Sequence, residues 1–483
     1  MKAIFILLDS LNRHYLSAYG RGLAQTPNLD RLAKRSVMFD NHYLGSAPCM
    51  PARRDMMTGR LHFLERGWGG VEPFDVTLPE VLRDRGVHCH METDHYHYMQ
   101  GGGEFYTSLF SSWICHRGQE YDTPPGPIAD REAPEHLGKW DAQYDRNREI
   151  FTSDGDFPSP RTFAGAAEWL RTNEDADDYL LWVEAFDPHE PFDCPDEYLR
   201  MYEDDWDGPR YDWSGYERVE EDCAASRHLQ NQYAACLTMT DRWLGRLLDE
   251  VERQGGFDDT LIILTTDHGH FLGERGLTGK NRWHCWNELA HIPLFVHLPG
   301  DQCAGERRQA LTQNIDLLPT LCEWFGAPVN PAVQGASLLP IASGERDEGR
   351  ATALYGWFGS TVNVTDGHVT YLRAPAARDN TPLHRHFLMP TRFHARFSPK
   401  AFESAELGRF LPYTGCPVLR APTRRGGHDP EVFETKLFDL DTDPGQTRNL
   451  AGTDLESACI DMLKTAMQEA DSPPSQFERL GLT

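Results

Sequence analysis

Short runs of apolar residues that end at a polar residue recur along the chain. Residues 3–8 are rich in Ile and Leu and end at Asp9, and residues 261–266 run in the same way into Asp267. Two further runs occupy residues 179–184 and 292–296. Continuous apolar runs of this length are typical of strands that are buried on both faces of a parallel sheet.

Helical patterns lie between these runs. Residues 234–251 place several large apolar side chains on one face, and two glycines follow at 255 and 256. Another helix should begin near Pro27, with Thr26 as its N-cap. Because strands alternate with helices, the pattern predicts an α/β fold with a large, mostly parallel sheet flanked by helices.

The composition of the sequence changes near residue 345. Beyond it Pro and Gly are frequent, and residues 361–371 read as a hairpin across an Asp-Gly turn. We therefore expect residues 1–345 to form the large catalytic domain and residues 346–483 a smaller α+β domain with an antiparallel sheet. The segment 373–428 is rich in Arg, His and Pro. It is either an ordered loop that reaches the active site or a surface excursion.

The charge of the chain limits the classes of partner. The 483 residues carry a formal net charge of −27. Nucleic acids and anionic membrane surfaces attract basic proteins, so the sequence predicts no nucleic-acid and no membrane partner. A small anionic substrate stays compatible with this charge, because a metal ion and a few local cations can reverse the field inside one pocket.

The cysteines and the N-terminal residues favour a cytoplasmic protein. The eleven cysteines are odd in number and form no Cys-x-x-Cys pair, which indicates neither a disulfide framework nor a zinc finger. The apolar run at residues 3–8 is short and has no small-residue cleavage site after it. No apolar run approaches the roughly 18 residues that a membrane-spanning helix needs.

Acidic residues and a histidine stand where two predicted strands end. Asp9 follows the first strand, and Asp267 and His268 follow a later one. Ligands of open α/β sheets bind beyond the carboxyl ends of the strands, so these side chains can converge there. Carboxylate oxygens and an imidazole suit a divalent cation such as calcium, magnesium or manganese. Taken singly, Asp9 could instead cap a helix, and residues 267–269 could form an ordinary turn.

The sharpest local motif is Cys-x-Pro-x-Arg at residues 49–53, which Thr-Gly-Arg follows at residues 58–60. The motif resembles the formylglycine signature of the sulfatase family, in which a dedicated formylglycine-generating enzyme oxidises the cysteine to an aldehyde. Residues 26–30, 314–320 and 437–451 also look like segments of that family. The alternative for Cys49 is a buried, inert thiol before a helix, which is the commoner fate of a cysteine.

The resemblance implies an alkaline-phosphatase-like fold and a specific set of site residues. One divalent metal ion, calcium before manganese or magnesium, would be held by Asp9, Cys49, Asp267 and His268. Arg53 would hold the hydrated aldehyde or the metal-bound oxygens. Lys280, in a segment that resembles the family's substrate-binding lysine, would grip the anion, and His189 would act as the general acid.

Three further histidines are candidates for the site. The family pattern after the strand near residue 90 is Lys-x-His, and this chain lacks the lysine. His95 is the expected base that releases sulfate, with His97 as the alternative and otherwise a substrate contact. The competing interpretation of this segment is a surface loop of histidine and tyrosine. His284 lies just past the lysine segment and is a further expected substrate contact.

The metal ligands depart from the usual sulfatase pattern. Many sulfatases carry two acids after the first strand and Asp-Asn after the later one, whereas this chain has Asp9-Ser10 and Asp267-His268. That set more closely resembles those of the phosphonate monoester hydrolase branch and of sulfatases with a reduced ligand set. The sequence therefore predicts an arylsulfatase-like hydrolase acting on a small-molecule sulfate ester, with a phosphonate monoester or phosphodiester hydrolase as the alternative. A third alternative is a non-catalytic binding protein with an unmodified Cys49. A homo-oligomer is left open.

Overall fold

The chain is described by a computed structural model that covers residues 1–124, 128–129, 131–220, 223–393, 395–424 and 430–483. Its strands are, in chain order, β1 Lys2–Leu8, β2 Val37–Tyr43, β3 Ser46–Ala47, β4 His88–Thr93, β5 Ser112–Cys115, β6 Tyr179–Ala185, β7 Thr260–Thr265, β8 Phe271–Leu272, β9 Thr278–Gly279, β10 Leu294–His297, β11 Arg307–Gln313, β12 Ala353–Trp357, β13 Val362–Thr365, β14 Val369–Arg373, β15 His384–Phe387, β16 Glu406–Gly408, β17 Val418–Pro422 and β18 Lys436–Asp439. Its helices are α1 Pro27–Lys34, α2 Cys49–Thr58, α3 Leu78–Arg83, α4 Glu104–Thr107, α5 Ala142–Arg148, α6 Pro158–Thr172, α7 Asp196–Leu199, α8 Ala224–Arg253, α9 Asn287–Ala290, α10 Leu317–Trp324, α11 Leu339–Ala342, α12 Leu455–Glu469 and α13 Pro474–Arg479.

An eight-stranded sheet forms the centre of the molecule, in the order β11-β2-β10-β7-β1-β6-β4-β5. Strand β10 runs antiparallel to both of its neighbours, and the other pairs are parallel. The predicted mostly parallel α/β sheet is therefore confirmed. The strand expected at residues 292–296 begins two residues later and is the antiparallel one.

Strand β1 shows why the sheet needs apolar residues on both faces. Ile4, Ile6 and Leu8 belong to one buried cluster, which helices α1, α6 and α8 help to form. The alternate residues Ala3, Phe5 and Leu7 belong to a second cluster, on the side of α2, α3 and α10. Because neighbouring side chains of a strand point to opposite faces, β1 is covered on both.

Two helices differ from the sequence prediction. Helix α8 begins at Ala224, ten residues before the expected start, where the Cys223 side chain accepts the Ser226 N–H. Thr26 lies at the N-cap of α1, but its hydroxyl makes no capping hydrogen bond. The carboxylate of Asp241 on α8 instead accepts the N–H groups of Asn28 and Leu29 at 3.1 and 2.7 Å. The expected capping role of Thr26 is therefore wrong, because a residue distant in sequence supplies the cap.

The C-terminal part builds a second sheet, in the order β18-β14-β13-β12-β3. The expected hairpin is confirmed as β13 and β14, which pair around Gly367 at φ 92°. Strands β12, β13, β14 and β18 pair antiparallel, and β3 adds to the edge in parallel. Since β3 directly precedes Cys49, this sheet is attached to the segment that carries the predicted nucleophile. The division near residue 345 stays a prediction.

Two expectations concern the whole chain. All eleven cysteines lie in the described ranges, and each is a free thiol. Within those same ranges, no helix combines the length and the apolar character that crossing a bilayer requires.

Candidate active site

The side chains at the carboxyl ends of the central strands converge as predicted. Strands β1 and β7 are neighbours, with Leu7 paired to Thr265, so Asp9 and Asp267 emerge side by side. Ligand atoms of Asp9, Cys49, Asp267 and His268 all lie within 4.8 Å of one another, and the four residues are buried. The site thus forms where an open α/β sheet places its ligands.

The loop after β1 is fixed by hydrogen bonds from both sides. Ser10 has φ 61°, a left-handed conformation unusual for a non-glycine residue. Its N–H donates to Asp267 Oδ1 at 3.0 Å, and Tyr233 on α8 donates to its carbonyl at 2.8 Å. The same Tyr233 hydroxyl accepts the Asn12 N–H at 2.8 Å. Tyr233 therefore holds the backbone that carries Asp9.

Cys49 is the first residue of α2, and the geometry around it explains the motif. Asp55, further along the same helix, accepts the Ser46 N–H at 2.6 Å and the Ser46 hydroxyl at 2.8 Å, which fixes the turn before Cys49. The helix ends at Gly59, whose φ is 66° and whose N–H donates to the Asp55 carbonyl at 2.8 Å. A side chain at Gly59 would lie 2.8 Å from Val333. This glycine therefore serves the helix end.

Arg53 lies at the centre of the buried charges, with no exposed surface. Its three nitrogens donate to Glu184 at 2.7 Å, Asp267 at 2.7 Å and Asp9 at 2.9 Å. The sequence prediction had Arg53 holding the hydrated aldehyde or the metal-bound oxygens. The structure places its hydrogen bonds on three carboxylates, two of which, Asp9 and Asp267, are predicted metal ligands. Burial would raise the pKa of Asp9, but the charges of Arg53 and Lys280 outweigh it and lower that pKa.

His268 presents one ring nitrogen to the cluster. Its Nδ1–H donates to the Gly269 carbonyl at 2.9 Å, so its Nε2 is directed to Cys49 Sγ at 3.2 Å. Burial lowers the pKa of His268, which favours the neutral imidazole that binds metals. Burial and then Asp9 raise the pKa of the Cys49 thiol well above its ordinary value.

The donor set suits a divalent cation. Two carboxylates supply hard oxygens, one neutral imidazole supplies nitrogen, and residue 49 stands beside them. Oxygen-rich sites with one imidazole match calcium, magnesium or manganese better than softer metals. The buried carboxylates also carry more negative charge than Arg53 alone neutralises, so a cation is favoured there.

A cavity of about 750 Å³ opens above this cluster. Its wall contains the predicted residues Cys49, His97, His189 and Lys280. Aromatic residues and arginines complete the wall, among them Trp68, Tyr96, Tyr121, Tyr216, Phe358, Arg282, Arg385, Arg392 and Arg424.

Lys280 is buried between the cluster and the cavity. Its Nζ donates to the Ser10 hydroxyl at 3.1 Å and lies 3.8 Å from Glu190. Burial would lower its pKa, but the acidic groups around it, Cys49, Glu190 and Asp9, raise it above the ordinary value. The lysine therefore stays charged and can meet an anion.

His189 faces the cavity with a defined tautomer. Its Nδ1–H donates to the Glu190 carbonyl at 2.6 Å, so Nε2 is the unprotonated nitrogen of the neutral ring. Burial lowers the pKa of His189 to about 3 against the opposing charge of Glu190. The imidazole is thus neutral until negative charge enters the cavity, because an anion beside it favours the protonated form.

The remaining predicted histidines occupy three different environments. His97 lines the cavity and contacts Trp68 edge-on at 4.9 Å between ring centroids. His95 is fully buried behind it, and neither of its ring nitrogens has a hydrogen-bond partner among the described residues. His284 Nε2 bonds the Glu434 carbonyl at 2.8 Å, and the ring is outside the cavity wall. The structure therefore does not bring His284 to the site, because the C-terminal segment engages its ring.

Some residues of the site were not expected from the sequence. Glu184 ends an apolar run inside β6 and binds Arg53 from there. Glu190 follows His189 directly and lies within 4 Å of Lys280, Lys139 and His270. The segment 373–424 reaches the cavity through three arginines, as one of the two alternatives had it, and residues 425–428 lie outside the described residues.

Removing Arg53 should expose how strongly the carboxylates depend on one cation. We expect Arg53→Met to lower the free energy of unfolding by about 3–5 kcal/mol, because three buried carboxylates lose their partner. Calcium should stabilise this variant more than it stabilises the wild type, since a divalent cation replaces the missing charge. Chemical denaturation with and without calcium measures both effects.

Arg54→Met is the matched control for this experiment. Arg54 is equally buried but donates to the carbonyls of Gly67, Gly69 and Gly70 rather than to carboxylates. Its loss should also destabilise the protein, without any additional response to calcium. An equal response to calcium in both variants would contradict the role assigned to Arg53.

Comparison with known proteins agrees with this geometry. A family model described as Sulfatase matches residues 2–327. An N-acetylglucosamine-6-O-sulfatase of Bacteroides thetaiotaomicron is 27% identical over 403 residues, which cover 71% of each chain. A choline-sulfatase of Rhizobium meliloti is 26% identical over 394 residues, 71% of this chain and 72% of the relative.

Solved structures show the same fold at lower identity. A protein in complex with its substrate D-glucosamine-2-N,6-O-disulfate superposes with a TM-score of 0.69 at 17% identity, covering 98% of this chain and 99% of that one. A phosphonate monoester hydrolase of Agrobacterium radiobacter gives a TM-score of 0.67 at 19% identity, covering 97% and 95%. The matched family model covers most of the chain, and the chain belongs to the sulfatase family.

Proposed function

We propose that this protein hydrolyses a small-molecule sulfate ester to an alcohol or phenol and sulfate. One observation carries the proposal: Asp9, Asp267 and His268 converge on residue 49 within 4.8 Å, at the base of a cavity that Lys280 and His189 also line. Family membership and the two sulfatase relatives support the same reaction.

The chemistry at position 49 depends on conversion of Cys49 to formylglycine by a formylglycine-generating enzyme. Hydrated formylglycine supplies a geminal diol, of which one oxygen attacks the sulfur and the other re-forms the aldehyde as sulfate leaves. Asp9, Asp267 and His268, with residue 49, would hold a divalent cation, which would supply positive charge that favours the ionised nucleophile and the transferring group. We propose calcium, because two carboxylates dominate the donor set.

The protein side chains position and protonate the ester. Lys280 holds an oxygen of the sulfate group by its charge. Arg53 keeps the ligand carboxylates in place and compensates for their repulsion, as its bonds to Asp9 and Asp267 support. His189 protonates the leaving oxygen, after the bound anion has raised the pKa of its ring.

We assign the base that assists sulfate release to His95, with His97 as a contact of the substrate. Both ring nitrogens of the buried His95 lack a partner among the described residues, so the ring has a free position for a proton. Burial and then the charges of Arg53, His97, His189 and Lys280 lower the pKa of His95 well below its ordinary value, so the ring is neutral, as a base must be before it takes up a proton. His97 lines the cavity and can touch the body of the ester.

We place the protein in a reducing compartment, the cytoplasm. All eleven cysteines are free thiols, which supports a reducing environment. The net charge of −27 supports solubility and disfavours binding to nucleic acid.

Hydrolysis of a phosphonate monoester or phosphodiester is the second candidate. Ser10 stands where many sulfatases have a second acid, and its hydroxyl donates to Asp9 Oδ1 at 2.8 Å. In the transition state a phosphoryl group carries more negative charge than a sulfuryl group, so a ligand set with fewer carboxylates repels it less than the usual set does. The sulfatase relatives and family favour the sulfate reaction over this one.

Parallel kinetics on two esters with one leaving group separate these reactions. We expect kcat/KM for 4-nitrophenyl sulfate to exceed that for 4-nitrophenyl phenylphosphonate by at least about tenfold. Cys49→Ala should abolish both activities and serves as the control for contaminating enzymes. The reverse preference would favour the phosphonate reaction, and no turnover of either ester by the converted protein would favour the binding protein.

The role of His189 predicts a dependence on the leaving group. His189→Asn should lower kcat/KM by about 10²- to 10⁴-fold for an alkyl sulfate, whose oxygen must be protonated as it leaves. The loss should be much smaller for 4-nitrophenyl sulfate, because nitrophenolate leaves without a proton. A series of sulfate esters with increasing alcohol pKa measures this difference.

His270→Asn is the control for that series. His270 also lies 3.5 Å from Glu190, but it is outside the cavity wall. Its replacement should change kcat/KM for all esters of the series by a similar factor. An equal loss for alkyl and nitrophenyl esters in His189→Asn would contradict the acid role.

A further inference from the structure

The cavity contains a second group of cations that the proposed chemistry does not use. Arg385 on β15, Arg392 after it and Arg424 after β17 all line the same cavity as Cys49. The charges that act on Arg385 are those of Arg392 and Arg54, which are both cations. Those that act on Lys280 are the acidic groups of the reacting cluster. The cavity therefore has two electrostatically distinct regions.

Arg385 is a half-buried cation without a counter-charge. It forms no ion pair with any of the described residues, and its buried Nε has no hydrogen-bond partner among them. Its guanidinium carbon lies 5.2 Å from the Phe397 ring centroid and 5.8 Å from that of Phe358. Burial lowers the pKa of Arg385 to about 10, and the neighbouring cations add to this effect. The side chain therefore stays charged at neutral pH, in surroundings that oppose its charge.

Other buried arginines of this protein have guanidinium nitrogens bound to carboxylates or to carbonyls. Arg66, for example, donates to both carboxylate oxygens of Asp75 at 2.8 Å. Arg392 and Arg424 are exposed and, like Arg385, form no ion pair within the described ranges. Arg385 is the partly buried member of this group, and its unpaired guanidinium loses hydration that a bound anion would replace.

The rest of the cavity wall suits a ring. Its lining includes five aromatic side chains, against which a sugar or aryl ring can pack: Trp68, Tyr96, Tyr121, Tyr216 and Phe358. The volume of about 750 Å³ is that of a site for a molecule much larger than a sulfate ion. Arg385 and Arg392 also border an adjoining cavity of about 260 Å³, so the arginine group has space on both sides.

We propose that the substrate is a ring-bearing sulfate ester whose alcohol carries a second oxyanion, a carboxylate or a further sulfate, and that Arg385 and Arg392 bind it. This inference rests on the proposed sulfatase function. The planar fork of a guanidinium matches either oxyanion with two parallel hydrogen bonds. Lys280 and the cluster hold the group that is cleaved, and the arginines select the alcohol that bears it.

The test compares sulfated sugars that differ in whether a second anion is present. The substrates are an N-acetylhexosamine sulfate without a second anion, a sulfated hexuronate and a disulfated hexosamine. We expect the wild type to prefer one of the two anionic esters over the first by about 10- to 100-fold in kcat/KM. Arg385→Met should remove most of that preference. It should change kcat/KM for the ester without a second anion by no more than about twofold. The anionic ester that the wild type prefers shows whether the second oxyanion is a carboxylate or a sulfate.

Two variants control for charge and folding. Arg378→Met removes one exposed positive charge from the same part of the chain, away from the cavity wall, and should change neither substrate class. Arg385→Lys keeps the charge but not the fork and should retain part of the preference. Because the lost cation is unpaired, Arg385→Met should melt no lower than the wild type.

A binding measurement separates this inference from the proposed function. Calorimetric titration with the two anionic alcohols, which lack the ester to be cleaved, should show binding to the wild type. The dissociation constant for Arg385→Met should be higher by about tenfold or more. Binding of this kind without turnover of any ester would reject the sulfatase function and keep the anion site. Equal losses for all three esters in Arg385→Met, or no wild-type preference and no binding, would overturn the inference.

Discussion

Three carboxylates at the carboxyl edge of the main sheet share one buried arginine. Asp9, Glu184 and Asp267 come from adjacent strands β1, β6 and β7, and Arg53 reaches them from α2. Without this cation the acids would repel one another in a medium that screens charge poorly. With Arg53 in place, two of the three negative charges remain uncompensated when the imidazole is neutral, and a divalent cation is favoured. The position of α2, and so of Cys49, depends on the same ion pairs.

The charge of the molecule is organised at two scales. The chain as a whole is strongly acidic, yet its cavity collects Lys280 and several arginines. An anionic ester is therefore attracted only where these cations outweigh the surrounding acids. The acidic surface and the cationic cavity together favour small anions that can enter over large polyanions that must lie across the surface.

The parts of this structure that sequence could predict are those set by local pattern. The apolar runs that end at Asp9 and Asp267 identified the central strands, and an Asp-Gly turn identified the hairpin of β13 and β14. The cysteine motif identified the sulfatase resemblance.

What the sequence could not show are partnerships between distant residues. Asp241, more than 200 residues away, caps α1 in place of Thr26. Glu184 is one polar residue at the end of an apolar strand, and only the fold brings it to Arg53. The arginines of the segment 373–424 had no local pattern that distinguished a cavity wall from a surface. His284 follows the lysine segment closely in sequence, yet its ring turns to the carbonyl of Glu434.

The central claim is that the residue at position 49 works as formylglycine and not as a thiol. Peptide mass spectrometry of active protein from its native host tests it most directly. We expect the converted peptide containing position 49 to be lighter by the mass of one sulfur and two hydrogens less that of one oxygen. The fraction of peptide that is converted should rise in proportion to specific activity. A fully active protein in which this peptide carries an unmodified thiol would contradict the account.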